Sequence, residues 1–181
     1  MHLKLIALFL FVLIGNTNDE ATMSWNEAKK LTWKDFQSSP DPNSEAVALT
    51  ASGITFGYSL KTTSSNHIVD FSVSVESHFY PKKSWYLRDR ANNYILAHEQ
   101  LHFDITELYA RKFREQLTKV KVNQNLKSEL KALHKTINKS LNETQKKYDA
   151  QSNHSINVEV QKQWELLIHS ELKKLDQYKS E

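Results

Sequence analysis

The residues best suited to chemistry are two histidines and a glutamate in the segment His98-Glu99-Gln100-Leu101-His102. Residues four apart in an α-helix lie on the same side, one turn apart, so both imidazoles point the same way. Two such nitrogens can each approach a zinc ion at about 2.0–2.1 Å. Glu99 lies beside the first histidine, where its carboxylate can reach a water on the metal. This H-E-x-x-H spacing is typical of zinc metallohydrolases, in which the metal lowers the pKa of the water and the glutamate takes its proton.

A catalytic zinc site of this type needs a third protein ligand and an open fourth position. The longer version of the motif, with a third histidine six residues after the second, is absent from the chain. Asp104 and Glu107 follow on the same predicted helix but point to other sides of it than His98. We therefore expect the third ligand from the segment after the long helices, with His154 as the first candidate and Asp149 as the alternative.

Two segments before Pro81 show the alternation of apolar and polar residues that is typical of β-strands. The first runs from Val47 to Leu60, and its parity changes at Ser52-Gly53, which predicts a β-bulge or a tight bend. The second runs from Val69 to Val75. The connection from Lys61 to Asn66 is short and polar, so the two strands are predicted to pair as a hairpin.

After Pro81 the apolar residues recur at spacings of three and four, which predicts long amphipathic helices over about residues 94–147, as separate helices or one bent rod. Tyr148 to Asn153 is predicted to be a turn, and a last helix carries Trp164, Ile168, Leu172 and Leu175. His134 and His169 lie among lysines on polar helix faces and are predicted to be solvated. The predicted fold class is α+β, with a small antiparallel hairpin sheet packed on long amphipathic helices.

The N-terminus has the pattern of a secretory signal peptide, because His2 and Lys4 precede an unbroken apolar run from Leu5 to Ile14. The run is shorter than the roughly 20 residues that a bilayer-spanning helix needs, so no stable membrane anchor is expected after cleavage. We predict a leader over residues 1–20 and a single domain over residues 21–181. The leader predicts a bacterial protein that is secreted or periplasmic.

Composition excludes several other classes of protein. The chain of 181 residues contains no cysteine, which removes disulfides, thiolate zinc sites and cysteine nucleophiles. Its net charge of +3 is too small to favour nucleic-acid binding, and the basic residues form no single block in the sequence. Because the chain contains no cysteine, any metal must be held by nitrogen and oxygen ligands.

Several short motifs around and beyond the histidine pair occur together in one bacterial family. They are Leu31-Thr32-Trp33-Lys34-Asp35-Phe36, Ala48 to Ile54, Lys83-Ser84-Trp85, Leu96 to Ile105, and Tyr148-Asp149 followed by Ser152, His154-Ser155, Gln161 and Trp164. On these residues the chain resembles the predicted secreted zinc-dependent proteases of bacteria that are catalogued as domain of unknown function 922. Ser152 and Ser155 replace a threonine and a glycine of the C-terminal signature. The resemblance implies a zincin-like peptidase over most of the chain after the leader.

Further roles near the metal are hypotheses. Asp104 or Asp149 could accept a hydrogen bond from the far nitrogen of a ligating histidine. Tyr148 could donate a hydrogen bond to the oxyanion that develops during hydrolysis, or its ring could simply pack with the hydroxyl in water. The strand from Val69 to Val75 is a candidate sheet edge for an extended peptide substrate.

The leading functional prediction is an exported zinc-dependent metallohydrolase, most simply a peptidase acting on a peptide or protein. His98, His102 and His154 would hold one zinc ion per chain, and Glu99 would be the general base. Two alternatives stay open from the sequence: a non-catalytic periplasmic protein that binds metal and engages a partner through its long helices, and a hydrolase of a non-protein amide such as a cell-wall peptide. The oligomeric state is not predicted.

Overall fold

The computed structural model of the protein describes residues 10–12 and 21–180. Most of the predicted leader, residues 1–20, lies outside the described residues. The exception is a short strand, β1 (Leu10–Val12), whose backbone pairs antiparallel with residues 58–60.

The strands form two antiparallel sheets. The remaining strands are β2 (Met23–Ser24), β3 (Ala48–Leu49), β4 (Ser52–Thr62), β5 (Ile68–Phe79) and β6 (Trp85–Tyr86). The larger sheet has the order β1-β4-β5-β2, and β3 pairs with β6 in a separate ribbon. The predicted hairpin is confirmed as the long pair of β4 and β5.

The parity change at Ser52-Gly53 has a different cause from the predicted bulge. It marks a break between β3 and β4, which belong to different sheets. The intervening Ala51 lies outside both strands; its N–H donates to the hydroxyl of Ser84, and its carbonyl accepts from the N–H of Tyr80. The irregularity in the hairpin itself lies at Lys61/Thr62.

Three helices follow the strands: α1 (Asn93–Leu117), α2 (Leu126–Ser152) and α3 (Val158–Lys174). The side chain of Asn92 begins α1 by accepting a hydrogen bond from the N–H of Ile95. The predicted helical stretch is therefore two helices rather than one rod, and α2 runs back along α1. No helix in the described part of the chain is both long and apolar enough to span a bilayer.

The predicted turn from Tyr148 to Asn153 is wrong, because α2 continues through Ser152. Tyr148 and Ser152 are fully buried, so packing holds this last turn in the helix. The helix ends at Asn153, whose φ of 48° is left-handed.

The core lies where α1 packs between the hairpin and the other two helices. Its most deeply buried apolar side chains include Phe79, Ile105, Phe113, Leu126 and Leu130. The fully buried Glu107 joins α1 to the sheet, because it accepts hydrogen bonds from the hydroxyl of Ser77 at 2.6 Å and from Nε of Arg111 at 2.9 Å. The fold class is α+β, as predicted.

His134 is not solvated, contrary to the prediction from its lysine-rich surroundings in the sequence. It is half-buried, and its ring lies 5.3 Å from that of Phe56 and 5.8 Å from that of Phe113. The packing of α2 near the hairpin and α1 supplies these neighbours, which the local sequence does not show. His169 is exposed, as predicted.

Candidate metal centre

Three side chains from two helices converge at the crossing of α1 and α2. The Nε2 atoms of His98 and His102, one turn apart on α1, are 3.2 Å from each other. Oδ1 of Asp149, near the end of α2, is 3.2 Å from Nε2 of His98 and 2.9 Å from Nε2 of His102. We call these residues the metal triad.

The spacing of the triad fits a small divalent ion. Ligand atoms about 2.0–2.1 Å from a tetrahedral ion lie roughly 3.3 Å from one another, close to the three distances above. Two imidazoles and one carboxylate form a donor set that zinc accepts, as do other first-row divalent ions. The three residues form the group of described residues that could hold a metal, and a tetrahedral ion held by three protein ligands would have a fourth position for solvent or substrate.

Gln145, one turn before Asp149 on α2, fixes the tautomer of His102. Its amide nitrogen donates to the backbone carbonyl of His102 at 2.8 Å, which turns its carbonyl oxygen towards Nδ1 of the same residue. Nδ1 therefore carries a proton, and Nε2 is the atom that would bind a metal after losing its own proton. No local pattern in the sequence indicates Gln145, because it lies 43 residues from His102.

The charges of the triad favour a cation. Burial alone would raise the pKa of Asp149, but the hydrogen bonds and charges of His102 and His98 outweigh it and hold that pKa well below its usual range. Burial alone would lower the pKa of His102, but the hydrogen bond to Asp149 and the charge of Glu99 raise it above its ordinary value. Asp149 is thus an anion. Together with the two imidazole nitrogens, it attracts a positive charge, either a proton or a metal ion.

Glu99 follows His98 on α1 and is not one of the three residues of the triad. Its side chain is buried, and Oε2 has no hydrogen-bond partner among the described residues. The hydroxyl of Thr50 donates to the backbone carbonyl of Glu99 at 3.1 Å. This contact holds the segment between β3 and β4 against the motif.

Tyr148 packs against both imidazoles. Its ring stacks on that of His98 with centroids 4.5 Å apart and meets the ring of His102 edge-on at 5.0 Å. Burial raises the pKa of Tyr148 far above its ordinary value, so the phenol stays neutral. Its buried hydroxyl has no hydrogen-bond partner among the described residues. The ring therefore positions the ligands, while donation to an oxyanion stays a prediction.

His154 is not brought into the triad, and the alternative candidate, Asp149, takes the third position. Because α2 extends to Ser152, Asp149 faces α1 from within the helix. His154 lies beyond the helix end with a φ of 50°, and its side chain is 74% exposed. Its Nδ1 is 3.9 Å from Oδ1 of Asp149.

Asp104 does not support a histidine of the triad. Its carboxylate accepts from Nε1 of Trp25 at 2.7 Å and from Nε2 of Gln100 at 2.9 Å, on another side of α1. Asp104, Trp25 and Gln100 line a cavity of about 960 Å³ between α1, α3 and the N-terminal segment, and no triad residue lines that cavity.

The strand from Val69 to Val75 lies beside the C-terminal part of α1. Nη2 of Arg114 donates to the carbonyl of Val75 at 2.8 Å. Arg114 is twelve residues beyond His102, or about 18 Å along the helix. The structure therefore places this predicted substrate edge away from the triad.

Together the fold and the site define a small α+β protein with a candidate divalent-metal centre. The family described as "Bacterial protein of unknown function (DUF922)" matches residues 23–155, and the chain belongs to this family. The matched residues include the whole triad and Glu99. No curated protein and no solved structure matches the chain.

Proposed function

We propose that the protein is an exported zinc-dependent hydrolase of amide bonds, with a peptide or protein as its substrate. The observation that carries the proposal is the convergence of three ligand atoms at 2.9–3.2 Å beside a buried carboxylate that is not itself a ligand. A bound zinc ion would supply Lewis acidity, which acidifies a water and polarises the substrate carbonyl.

The chain's own residues have separate tasks in this proposal. His98, His102 and Asp149 hold the metal, and the stacked ring of Tyr148 with the amide of Gln145 fixes the orientation of the imidazoles. Oε2 of Glu99, which has no partner among the described residues, would accept a proton from the attacking water and return it to the leaving amine.

Two substitutions separate catalysis from metal binding. Parent protein and variants are purified, their zinc content is measured, and their activity is followed on casein and on a peptide library. We expect about one zinc per chain in the parent and its loss in His102→Ala. Glu99→Gln should keep the zinc and lose the hydrolysis, since only the base has been removed.

The remaining outcomes are informative as well. A parent that binds zinc but cleaves neither peptides nor cell-wall fragments would contradict the hydrolase proposal and leave a metal-binding protein. Cleavage of cell-wall fragments alone would replace the peptide substrate with a non-protein amide. If Glu99→Gln were as active as the parent, Glu99 would not be the base.

A further inference from the structure

A row of four lysines follows the outer face of α2. Lys127, Lys131, Lys135 and Lys139 recur at every fourth position, and all four are exposed. They span about 18 Å at roughly 1.5 Å per residue. The helix buries the opposite side through Leu126, Leu130, Ile137 and Leu141. We call these four residues the lysine row.

The lysine row is almost free of compensating charge. Lys127, Lys131 and Lys135 make no ion pair with a described residue, and none has an acidic residue three or four positions away. Lys139 approaches Glu143 at 3.8 Å, but both side chains are more than 60% exposed, so the pair is weak.

Folding does not account for this arrangement. Like charges at i and i+4 destabilise a helix, and the row contains three such pairs in succession. Glutamates at exposed positions next to these lysines on the helix surface would remove the repulsion and leave the buried face unchanged. A local feature that opposes the stability of its own helix points to a role outside folding.

The residue type of the row favours binding to an extended anionic surface over recognition of a single phosphate group. Lysine is a point charge on a flexible stem, whereas arginine supplies the planar fork used for specific phosphate recognition, and α2 contains no arginine. No large apolar side chain of α2 is prominently exposed, so the row has nothing to insert below the headgroups. Binding of a single-stranded nucleic acid would require aromatic side chains on which its bases stack, and the exposed face of the row has no aromatic ring.

We propose that the lysine row docks the protein on the surface of an anionic phospholipid bilayer. Clusters of four to eight basic residues on an amphipathic helix bind anionic headgroups in this way. Each lysine near such a surface contributes about a fivefold factor to partitioning. The contact is peripheral and reversible, and it does not depend on the metal triad, which lies at the other end of α2.

Vesicle sedimentation tests the proposal. The protein should sediment with phosphatidylglycerol vesicles at about 0.1 M salt, stay in solution with phosphatidylcholine vesicles, and be released at about 1 M salt, where screening shortens the Debye length to roughly 3 Å. Replacing all four lysines of the row by glutamine should lower partitioning at least about tenfold.

A matched control separates the row from net charge. Lys29, Lys34, Lys82 and Lys162 are exposed on other parts of the chain, and their replacement by glutamine lowers the net charge of +3 by the same four units. The control should sediment like the parent. The row variant should melt at the same or a higher temperature than the parent, because the like-charge pairs are gone.

Three results would overturn the proposal. The first is no sedimentation of the parent with phosphatidylglycerol. The second is an equal loss in the row and control variants, which would mean that net charge alone governs binding. The third is binding of the parent to soluble heparin or DNA without binding to vesicles, which would assign the row to a polyanion instead of a bilayer.

Discussion

At the scale of single residues, the candidate centre depends on which group supplies the third ligand. His98 and His102 lie on one helix, so their mutual geometry follows from the helical repeat. Asp149 reaches them only because α2 packs on α1 with the right register. Gln145 and Tyr148, on the same stretch of α2, contact the two rings from other directions. Asp149 and Gln145 lie four residues apart on one face of α2. Asp149 supplies a ligand, and Gln145 supports the ligand His102.

This assignment predicts a difference between Asp149 and His154. Asp149→Asn replaces the anionic oxygen by a neutral amide and should lower zinc affinity by more than the roughly 10–100-fold typical of losing an outer support. His154→Ala should bind zinc like the parent, because its side chain is exposed and outside the triad. Calorimetric titration of the metal-free proteins with zinc measures both. Loss of zinc in His154→Ala with normal binding in Asp149→Asn would make His154 the ligand.

At the scale of elements, local patterns predicted the parts of the molecule whose periodicity is strong. The stripe along α1 and the alternation in β4 and β5 gave the helix, the hairpin and the α+β class. Local patterns do not predict the end of α2, because it depends on burial of Tyr148 and Ser152 against other helices, not on a stop signal in its own sequence. Because the sequence predicts a turn in this segment, it favours His154 over Asp149 as the third ligand.

The packing of α2 on the hairpin predicts a pH dependence through His134. Burial lowers the pKa of His134 below its ordinary value, although a hydrogen bond to the carbonyl of Ile54 offsets part of the effect. The folded state therefore prefers the neutral ring. The neutral ring of His134 contributes its full stabilisation above about pH 6.5, the pKa of histidine in the unfolded chain. This stabilisation is lost as the pH falls through the lower pKa of His134 in the folded state.

Urea unfolding of the metal-free protein at about pH 7 and about pH 5 measures this effect. The parent should lose stability on acidification, and His134→Phe, which cannot titrate and can still stack on Phe56 and Phe113, should lose less. The exposed His169 provides the control: His169→Gln should follow the parent. An identical acid response in parent and His134→Phe would show that the titration of His134 does not contribute.

At the scale of the whole molecule, the triad and β1 (Leu10–Val12), the described part of the predicted leader, lie at opposite ends of the hairpin. β1 pairs with residues 58–60 of β4. The triad side of the sheet is the start of β4, where the hydroxyl of Ser52 contacts that of Thr106 at 2.7 Å. The eight residue-to-residue steps from Ser52 to Leu60 correspond to about 26 Å of extended strand. Removal of the leader would therefore uncover an edge of β4 far from the ligands.

We accordingly expect the chain that begins at Ala21 to keep the centre intact. It should bind zinc with the affinity of the full chain, because the three ligands and their described contacts with Gln145 and Tyr148 lie in residues 21–181. Its free energy of unfolding should differ by no more than the loss of one short edge strand that pairs with β4. Calorimetric zinc titration and urea unfolding of both chains test this, and N-terminal sequencing of the exported protein locates the cleavage. A shortened chain that folds but no longer binds zinc would show that the first twenty residues complete the site, and the predicted domain boundary would then be wrong.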